Sequence, residues 1–250
     1  MINAFSFECD VSENCNYSCV GCSHWSPAHK VGYTMPDEMA RDLYHLSRVA
    51  HAQKFCVLGG EPLLHPDLAG VLRTVRVSGI ADAIELWTNG SLLLAASDAI
   101  WKNCDSITVN SYPGKLTAEY EAALYVRAAE MGIAFEITHP TQFYHNATRQ
   151  ERTDNIQKWF DTCPYQDLCW AVHHGYLYRC PQSISLSEMR LHIPKEVEGI
   201  KLENVTEDAL REFLTSSKPR ESCRVCARRE TWFDWREAKR KDWLELSLQP

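Results

Sequence analysis

Short apolar runs alternate with longer helical patterns over the first 140 residues of the chain. Runs rich in β-branched and aromatic residues predict strands, and apolar residues spaced three and four apart predict helices between them. The predicted strands are residues 4–11, 55–58, 83–87, 106–110 and 133–138. The predicted helices are residues 36–50, 67–77, 91–103 and 117–131, with Gly132 as the C-cap of the last. This alternation predicts an α/β fold, a partial (β/α) barrel of five to six parallel strands, any sixth strand following residues 147–160.

The pattern changes after residue 161, where cysteines and tryptophans become frequent and the alternation is lost. A short β-like run at residues 175–178 stands apart from other strand patterns. We therefore predict a barrel domain at residues 1–161 and a small cysteine-rich module at residues 162–250. The module is expected to end in a helix over residues 230–246, with Trp232, Trp235 and Trp243 packing its core side.

The composition is that of an ordinary folded protein, with 45% hydrophobic and 24% charged residues. The sequence contains no apolar run of membrane-spanning length and no secretion signal at its beginning, so we expect a cytoplasmic protein without a membrane partner. The formal net charge of -7 gives no general attraction to nucleic acid. Residues 218–241 are locally basic but also carry acids, which favours a solvated surface over a phosphate-binding patch.

Eleven cysteines are present, and cytoplasmic reductants disfavour disulfides, so metal or cluster ligation is the better interpretation. Cys15, Cys19 and Cys22 form a C-x3-C-x2-C group directly after the first predicted strand. Three thiolates leave one coordination position open, which favours a 4Fe-4S cluster with one uncoordinated iron over a closed zinc site. Zinc completed by His24 is the alternative. Cys9, Cys56 and Cys104 lie in or beside apolar runs and are interpreted as packing residues.

The spacing of this first group resembles that of the radical S-adenosylmethionine superfamily. Members hold S-adenosylmethionine on the open iron of the cluster and cleave it reductively to a 5'-deoxyadenosyl radical. The resemblance therefore implies S-adenosylmethionine as a cofactor and a flavodoxin or ferredoxin-type protein as the electron donor.

Three further segments match the family in the expected order. By resemblance, the Gly-Gly-Glu-Pro element after the second strand holds the amino group of the cofactor. The Thr-Asn pair after the third strand lies near the ribose or the methionine carboxylate of the cofactor. A serine at the end of the fourth strand is a weaker candidate for the ribose contact. Adjacent glycines let the main chain approach a ligand, and a carboxylate suits an ammonium, although both segments also fit plain turns. The residues concerned are Gly59, Gly60, Glu61 and Pro62, then Thr88 and Asn89, and finally Ser111.

One position departs from the family pattern. The family usually carries an aromatic residue before the third cysteine, where it borders the adenine, but this chain has Gly21. His24 and Trp25 follow the motif, and we interpret them as the candidate flat surfaces for the adenine.

A second cysteine group lies in the predicted C-terminal module. Cys163 precedes Gly175 by eleven residues, Cys180 follows that glycine after four, and Cys223 and Cys226 form a distant C-x2-C pair. This pattern resembles the twitch domain, a shortened SPASM extension whose four cysteines bind one auxiliary 4Fe-4S cluster. A four-cysteine zinc site is the alternative. Cys169 has the wrong spacing and is left unliganded.

Two clusters favour an oxidoreductase, because an auxiliary cluster can accept the second electron when a small polar substrate is dehydrogenated. The layout is similar to that of twitch-bearing aminocyclitol dehydrogenases, and the expected substrate is a sugar, cyclitol, amino acid or nucleotide-linked compound. An isomerase or epimerase that uses the Cys169 thiol to return hydrogen, a peptide-modifying enzyme and a non-catalytic zinc protein that binds nucleic acid are the alternatives. His139, Tyr144 and His145 follow the fifth strand and are the candidate bases.

Overall fold

The structure is a computed structural model that describes residues 1–153, 155–164, 169–228 and 230–249. An eight-stranded sheet with the strand order β10-β9-β8-β1-β2-β3-β4-β5 forms its centre. The strands of this sheet are β1 (Ile2–Ser12), β2 (Ala50–Gly59), β3 (Ala81–Thr88), β4 (Ser106–Asn110), β5 (Ala134–Thr138), β8 (Trp170–His173), β9 (Tyr176–Tyr178) and β10 (Gly199–Lys201). Four short strands pair outside it: β6 (Gln142–Tyr144) with β11 (Trp232–Asp234), and β7 (Ala147–Thr148) with β12 (Leu248–Gln249).

The first five strands are parallel and run in sequence order, which confirms the predicted partial barrel. The helices that connect them pack against the sheet and form its main apolar core. These are α1 (Pro36–Leu46), α2 (Leu68–Ser78), α3 (Asp98–Lys102) and α4 (Ala118–Met131). The region predicted as a helix at residues 91–103 is instead a 3₁₀ turn followed by the short α3, because Ala96 between them is extended. Gly132 has φ 66° and ends α4 as predicted.

The predicted sixth strand is present on the other side of β1. β8 pairs with β1 in parallel and then turns back into β9, which pairs with β10. The expectation that residues 175–178 stand apart is therefore wrong, because β9 is an inner strand of the main sheet. The boundary predicted at residue 161 marks a change of sequence pattern within a continuous sheet.

The remaining helices are short and lie after β7. They are α5 (Ile156–Asp161), α6 (Pro181–Ser185), α7 (Lys195–Glu198), α8 (Glu207–Thr215) and α9 (Arg240–Ser247). A π-helical turn, Leu186–Leu191, continues α6. No helix in the described ranges has the length and apolarity needed to cross a bilayer.

The helix predicted at residues 230–246 is wrong in its first half. Its beginning is β11, which pairs with β6, and only the end forms α9. Trp243 is buried as predicted and packs on Trp25, whereas Trp232 is 54% exposed and Trp235 stacks on Tyr112. Cys9, Cys56 and Cys104 are buried, which confirms their interpretation as packing residues.

Candidate active site

A cavity of about 660 Å³ opens at the carboxyl ends of β1 to β4. The cysteine loop after β1 lines one side of it, and residues of the second cysteine group line another. The cysteines that face this cavity are Cys15, Cys19 and Cys22 of the first group, Cys163, Cys180 and Cys226 of the second, and Cys169. The fold thus joins two groups that are about 140 residues apart in sequence around one space.

Two side chains of helix α9 form hydrogen bonds with the cysteine loop, the segment after β1 that carries the first cysteine group. Trp243 Nε1 donates a 2.7 Å hydrogen bond to the carbonyl of Cys19, and the amide of Gly21 donates to Ser247 Oγ at 3.0 Å. Burial raises the pKa of the Cys15 thiol to about 12. A metal that binds there must therefore displace a proton, as thiolate ligation generally requires.

Gly59 and Gly60 let the end of β2 pass directly against the cysteine loop. A Cβ on Gly59 would lie 2.5 Å from the carbonyl oxygen of Ser12, and one on Gly60 would lie 2.4 Å from that of Asn14. Gly59 also has φ 142°, which side-chain-bearing residues rarely adopt. Both glycines line the cavity.

Glu61 has a different role from the one expected. Its side chain is fully buried, does not line the cavity, and accepts hydrogen bonds from Thr88 Oγ1 at 2.6 Å and the amide of Asn89 at 2.8 Å. Its carboxylate thus ties the end of β3 to the glycine turn instead of meeting a cofactor amine. Pro62 begins the 3₁₀ turn behind it and also stays outside the cavity.

Replacing Glu61 with Gln should destabilise the fold by about 1–3 kcal/mol, since an amide nitrogen would then face a buried donor of β3. Urea unfolding of the apoprotein measures this directly. Glu130→Gln on the exposed face of α4 is the matched control and should change the free energy of unfolding by less than about 0.5 kcal/mol, because its exposed ion pair with Arg127 contributes little. Equal stability of the two variants would contradict the structural role of Glu61.

Thr88 and Asn89 line the cavity, and Asn89 Nδ2 donates to Asn16 Oδ1 at 2.8 Å. Ser111 and His139 do not line it. Ser111 donates to Glu121 at 2.5 Å, and His139, 61% exposed, bonds to the same carboxylate. The predictions of a ribose contact for Ser111 and a base role for His139 are therefore not supported by their positions.

Steric crowding explains why a glycine, and not an aromatic residue, precedes the third cysteine. A Cβ on Gly21 would lie 2.6 Å from the Tyr144 carbonyl oxygen and 2.8 Å from the Phe233 ring, so β6 and β11 occupy the place of the usual aromatic side chain. Trp25 is buried against Trp243 and does not reach the cavity, so its prediction as an adenine surface is wrong.

His24 does line the cavity, and its Nδ1 lies 3.0 Å from Asp10 Oδ2. Burial opposes protonation of the ring, but the charge and hydrogen bond of Asp10 outweigh burial and raise the pKa of His24 to about 10. The aromatic rings of Tyr17, Trp87 and Tyr112 also line the cavity, although no sequence motif marked them as site residues.

The four cysteines of the second group converge on a smaller cavity of about 50 Å³. Burial raises the pKa of the Cys223 thiol to about 12 and that of Cys226 to about 11, and neighbouring thiols of the group add to the shift. Three guanidinium groups line the same cavity, on Arg179, Arg220 and Arg228. Positive charge beside four thiols suits a site that becomes anionic when the thiols ionise.

The candidate catalytic side chains are distributed unevenly. Tyr144 and Cys169 line the large cavity, whereas His145 is buried and bonds to the carbonyl of Ser247. Sequence analysis missed Glu8, which lines the cavity from β1 and accepts a 2.8 Å hydrogen bond from the Cys169 thiol. The signal was present, because Ser6, Glu8 and Asp10 alternate with the buried apolar residues of β1.

Comparisons with known proteins agree with this geometry. No protein-family model matches the chain. It is 31% identical over 98 residues to the probable GTP 3',8-cyclase of Methanococcus vannielii, a radical S-adenosylmethionine protein; the match covers 39% of this chain and 32% of that relative. The chain thus spans about a third of the length of the curated relatives it matches.

Two solved structures resemble the chain over most of its length. BtrN, in complex with AdoMet and 2-DOIA, matches 89% of this chain and 85% of its own with a TM-score of 0.55 and 12% identity. The structure of anSMEcpe with bound AdoMet and the Cp18Cys peptide matches 86% and 81% with a TM-score of 0.53 and 11% identity. Both are radical S-adenosylmethionine enzymes, and at these identities the similarity establishes the fold. The chain therefore shares the fold of these enzymes and carries a three-cysteine motif that resembles that of the radical S-adenosylmethionine superfamily.

Proposed function

We propose that the protein is a radical S-adenosylmethionine dehydrogenase that oxidises a small polar molecule in the large cavity. The observation that carries the proposal is the single cavity of about 660 Å³ bordered by both cysteine groups. Its volume falls within the range of small-molecule sites. A sugar, cyclitol, amino acid or nucleotide-linked compound is the substrate class, and flavodoxin or ferredoxin the electron donor.

The spacing of the thiols supports iron-sulfur clusters over zinc at both groups. The sulfur ligands of one tetrahedral zinc ion lie about 3.8 Å apart, as Zn–S bonds of about 2.3 Å require. Within the described residues, neither group brings three sulfur atoms within 4.8 Å of one another. A cluster of four irons spreads its thiolate ligands more widely, so Cys15, Cys19 and Cys22 fit the first cluster. Cys163, Cys180, Cys223 and Cys226 fit an auxiliary one.

When bound at these residues, S-adenosylmethionine and the first cluster would supply radical chemistry at a substrate C–H bond, and an auxiliary cluster on the second cysteine group would supply an acceptor for one further electron. The chain itself must position the substrate, exclude water and accept the proton of the neighbouring hydroxyl or amine. Aromatic rings of Tyr17, Trp87 and Tyr112 provide apolar walls of the cavity. Loss of one hydrogen atom, one proton and one electron together converts a secondary alcohol into a ketone.

Glu8 is the carboxylate that lines this cavity among the described residues, and we assign it the role of proton acceptor. Glu8→Gln should lower product formation by about 10²–10⁴-fold while cofactor cleavage continues. Production of 5'-deoxyadenosine and of oxidised product, measured in the same reaction, separates the two effects. Glu85→Gln, an interior carboxylate of β3 paired with Lys54 outside the cavity, is the control. Undiminished product from Glu8→Gln would remove Glu8 from the mechanism.

The proposed reaction is tested by its stoichiometry. The reconstituted protein is incubated anaerobically with S-adenosylmethionine, a reductant and a panel of cyclitols, sugars, amino acids and nucleotide sugars. We expect one compound to yield a product lighter by two hydrogen atoms, with one 5'-deoxyadenosine formed per product. A product isomeric with its substrate would reject oxidation.

A redox-neutral isomerase or epimerase is the second candidate, because the Cys169 thiol faces the cavity and could return a hydrogen atom. Burial raises the pKa of this thiol, so it keeps its hydrogen at neutral pH. Under the dehydrogenase proposal, Cys169→Ala should retain turnover within about tenfold of the wild type, because it removes one hydrogen bond to Glu8 but no reacting group. Complete loss of turnover with cofactor cleavage intact, measured by product formation, would favour the isomerase.

A further inference from the structure

A third group of potential metal ligands lies outside both cavities. Glu13, His173 and His174 place one ligand atom each within 4.8 Å of the others, and none of the three lines the cavities described above. His173 ends β8, His174 opens the turn into β9, and Glu13 follows β1 directly before the cysteine loop. The neighbouring strands β1 and β8 thus bring the three side chains together.

The turn between β8 and β9 explains how two consecutive histidines point to one place. Successive side chains of a strand normally face opposite sides of the sheet. Here His174 has φ 44° and Gly175 has φ 84°, the left-handed pair of a two-residue type I′ hairpin. This turn brings the two imidazole centroids within 4.1 Å of each other.

His173 is the side chain that calls for a ligand. It is 3% exposed, and neither of its ring nitrogens has a hydrogen-bond partner among the described residues. Leaving a buried polar group without a partner costs about 1–3 kcal/mol, so buried imidazoles usually find one. Its Nε2 lies 3.9 Å from Glu188 Oε1, which is too far for a hydrogen bond, so this carboxylate does not satisfy the ring.

The distances from the two ring nitrogens of His174 fit a tetrahedral metal ion at one nitrogen and a supporting carboxylate at the other. His174 Nε2 lies 3.4 Å from Glu13 Oε1, and ligand atoms at about 2.0–2.1 Å from a tetrahedral zinc ion are about 3.4 Å apart. The other ring nitrogen, Nδ1, donates to Glu38 Oε1 at 2.5 Å. A carboxylate on the second nitrogen is the usual support of a metal-binding histidine.

We propose that Glu13, His173 and His174 form a binding site for a divalent zinc-type ion that keeps water in its fourth position, with Glu38 orienting His174. Two imidazoles with a carboxylate suit zinc better than the harder Mg²⁺ or Ca²⁺, which prefer oxygen ligands alone. The ion ties the β8–β9 turn to the chain two residues before Cys15. It therefore braces the loop that carries the first cysteine group.

The test uses the anaerobically reconstituted protein, in which iron already occupies the cysteines, and Co²⁺ as a spectroscopic probe. In the difference spectrum against the same iron-loaded protein without Co²⁺, we expect one equivalent of Co²⁺ to bind with visible d–d absorption and no new thiolate charge-transfer band, and one equivalent of Zn²⁺ to displace it. His174→Asn should bind Co²⁺ at least about tenfold more weakly, because asparagine keeps the left-handed turn but removes the imidazole. Glu38→Gln should weaken binding by about 10–100-fold.

His192→Asn is the matched control. His192 also has a left-handed φ of 54°, but it is exposed and bonds only to a main-chain carbonyl, so its replacement should leave Co²⁺ affinity unchanged. The iron content of each variant verifies that it is folded and loaded. Absence of saturable Co²⁺ binding, or equal affinity of His174→Asn and wild type, would overturn the proposal, whereas sulfur charge-transfer bands would assign the ion to the cysteines.

Discussion

Replacement of Cys15 by Ala is expected to abolish reductive cleavage of S-adenosylmethionine. Cys15 is one of three thiols that line the cavity from the loop after β1, and two thiolates cannot hold a cluster with a single open iron. Iron should fall from about eight to about four atoms per chain, because the second cysteine group is intact. Production of 5'-deoxyadenosine after reduction measures the loss.

Cys104→Ala is the matched control for this experiment. Cys104 is buried beside α3 and lines neither cavity, so its removal should preserve both the iron content and the cleavage reaction. If Cys15→Ala retained the full iron content and cleaved the cofactor at the wild-type rate, the assignment of the first group would be wrong.

Replacement of Cys180 by Ala should separate the two halves of the proposed reaction. Cys180 lines both the small cysteine cavity and the large cavity, so its loss removes a ligand of the auxiliary cluster and leaves the first group complete. We expect about four irons per chain, continued formation of 5'-deoxyadenosine, and no oxidised product, because the second electron has no acceptor. Iron analysis and product analysis on the same preparation measure both outcomes.

Cys56→Ala provides the comparison for this second variant, since Cys56 is buried against Ser6 and Glu85 and faces neither cavity. Normal oxidation by Cys180→Ala would show that the second cysteine group takes no part in electron transfer. It would then be a structural site only.

The parallel half of the fold could be predicted because its strands and helices carry their own periodicity. Each of the five strands combined β-branched residues with a buried face, and the helix of α4 ended at a glycine with positive φ. β9 was misjudged because three residues are too short to show a period. Its pairing depends on the turn at His174, a residue that sequence rules do not mark as a turn former.

The C-terminal region was harder because tertiary contacts decide its structure. Residues 232–234 carry a pattern compatible with a helix, but they pair with β6 and press Phe233 onto Gly21. That contact also explains the missing aromatic residue of the cysteine motif, which no local pattern could reveal.

The sequence located several residues of the site correctly, but it did not reveal the role of each one. Gly59 and Gly60 are glycines because the backbone of the cysteine loop passes too close for a side chain, and both line the cavity. The carboxylate of Glu61 was assigned to a ligand, yet it is buried under β3, because the sequence does not tell whether an acid faces inward or outward at a turn.

The most direct measurement of the central claim is cofactor cleavage by the wild-type protein. Anaerobically reconstituted protein is mixed with S-adenosylmethionine and dithionite, and methionine and 5'-deoxyadenosine are quantified by mass spectrometry. A radical enzyme with its first cluster on Cys15, Cys19 and Cys22 should form the two products in equal amounts. Fully iron-loaded protein that forms neither product would contradict the account.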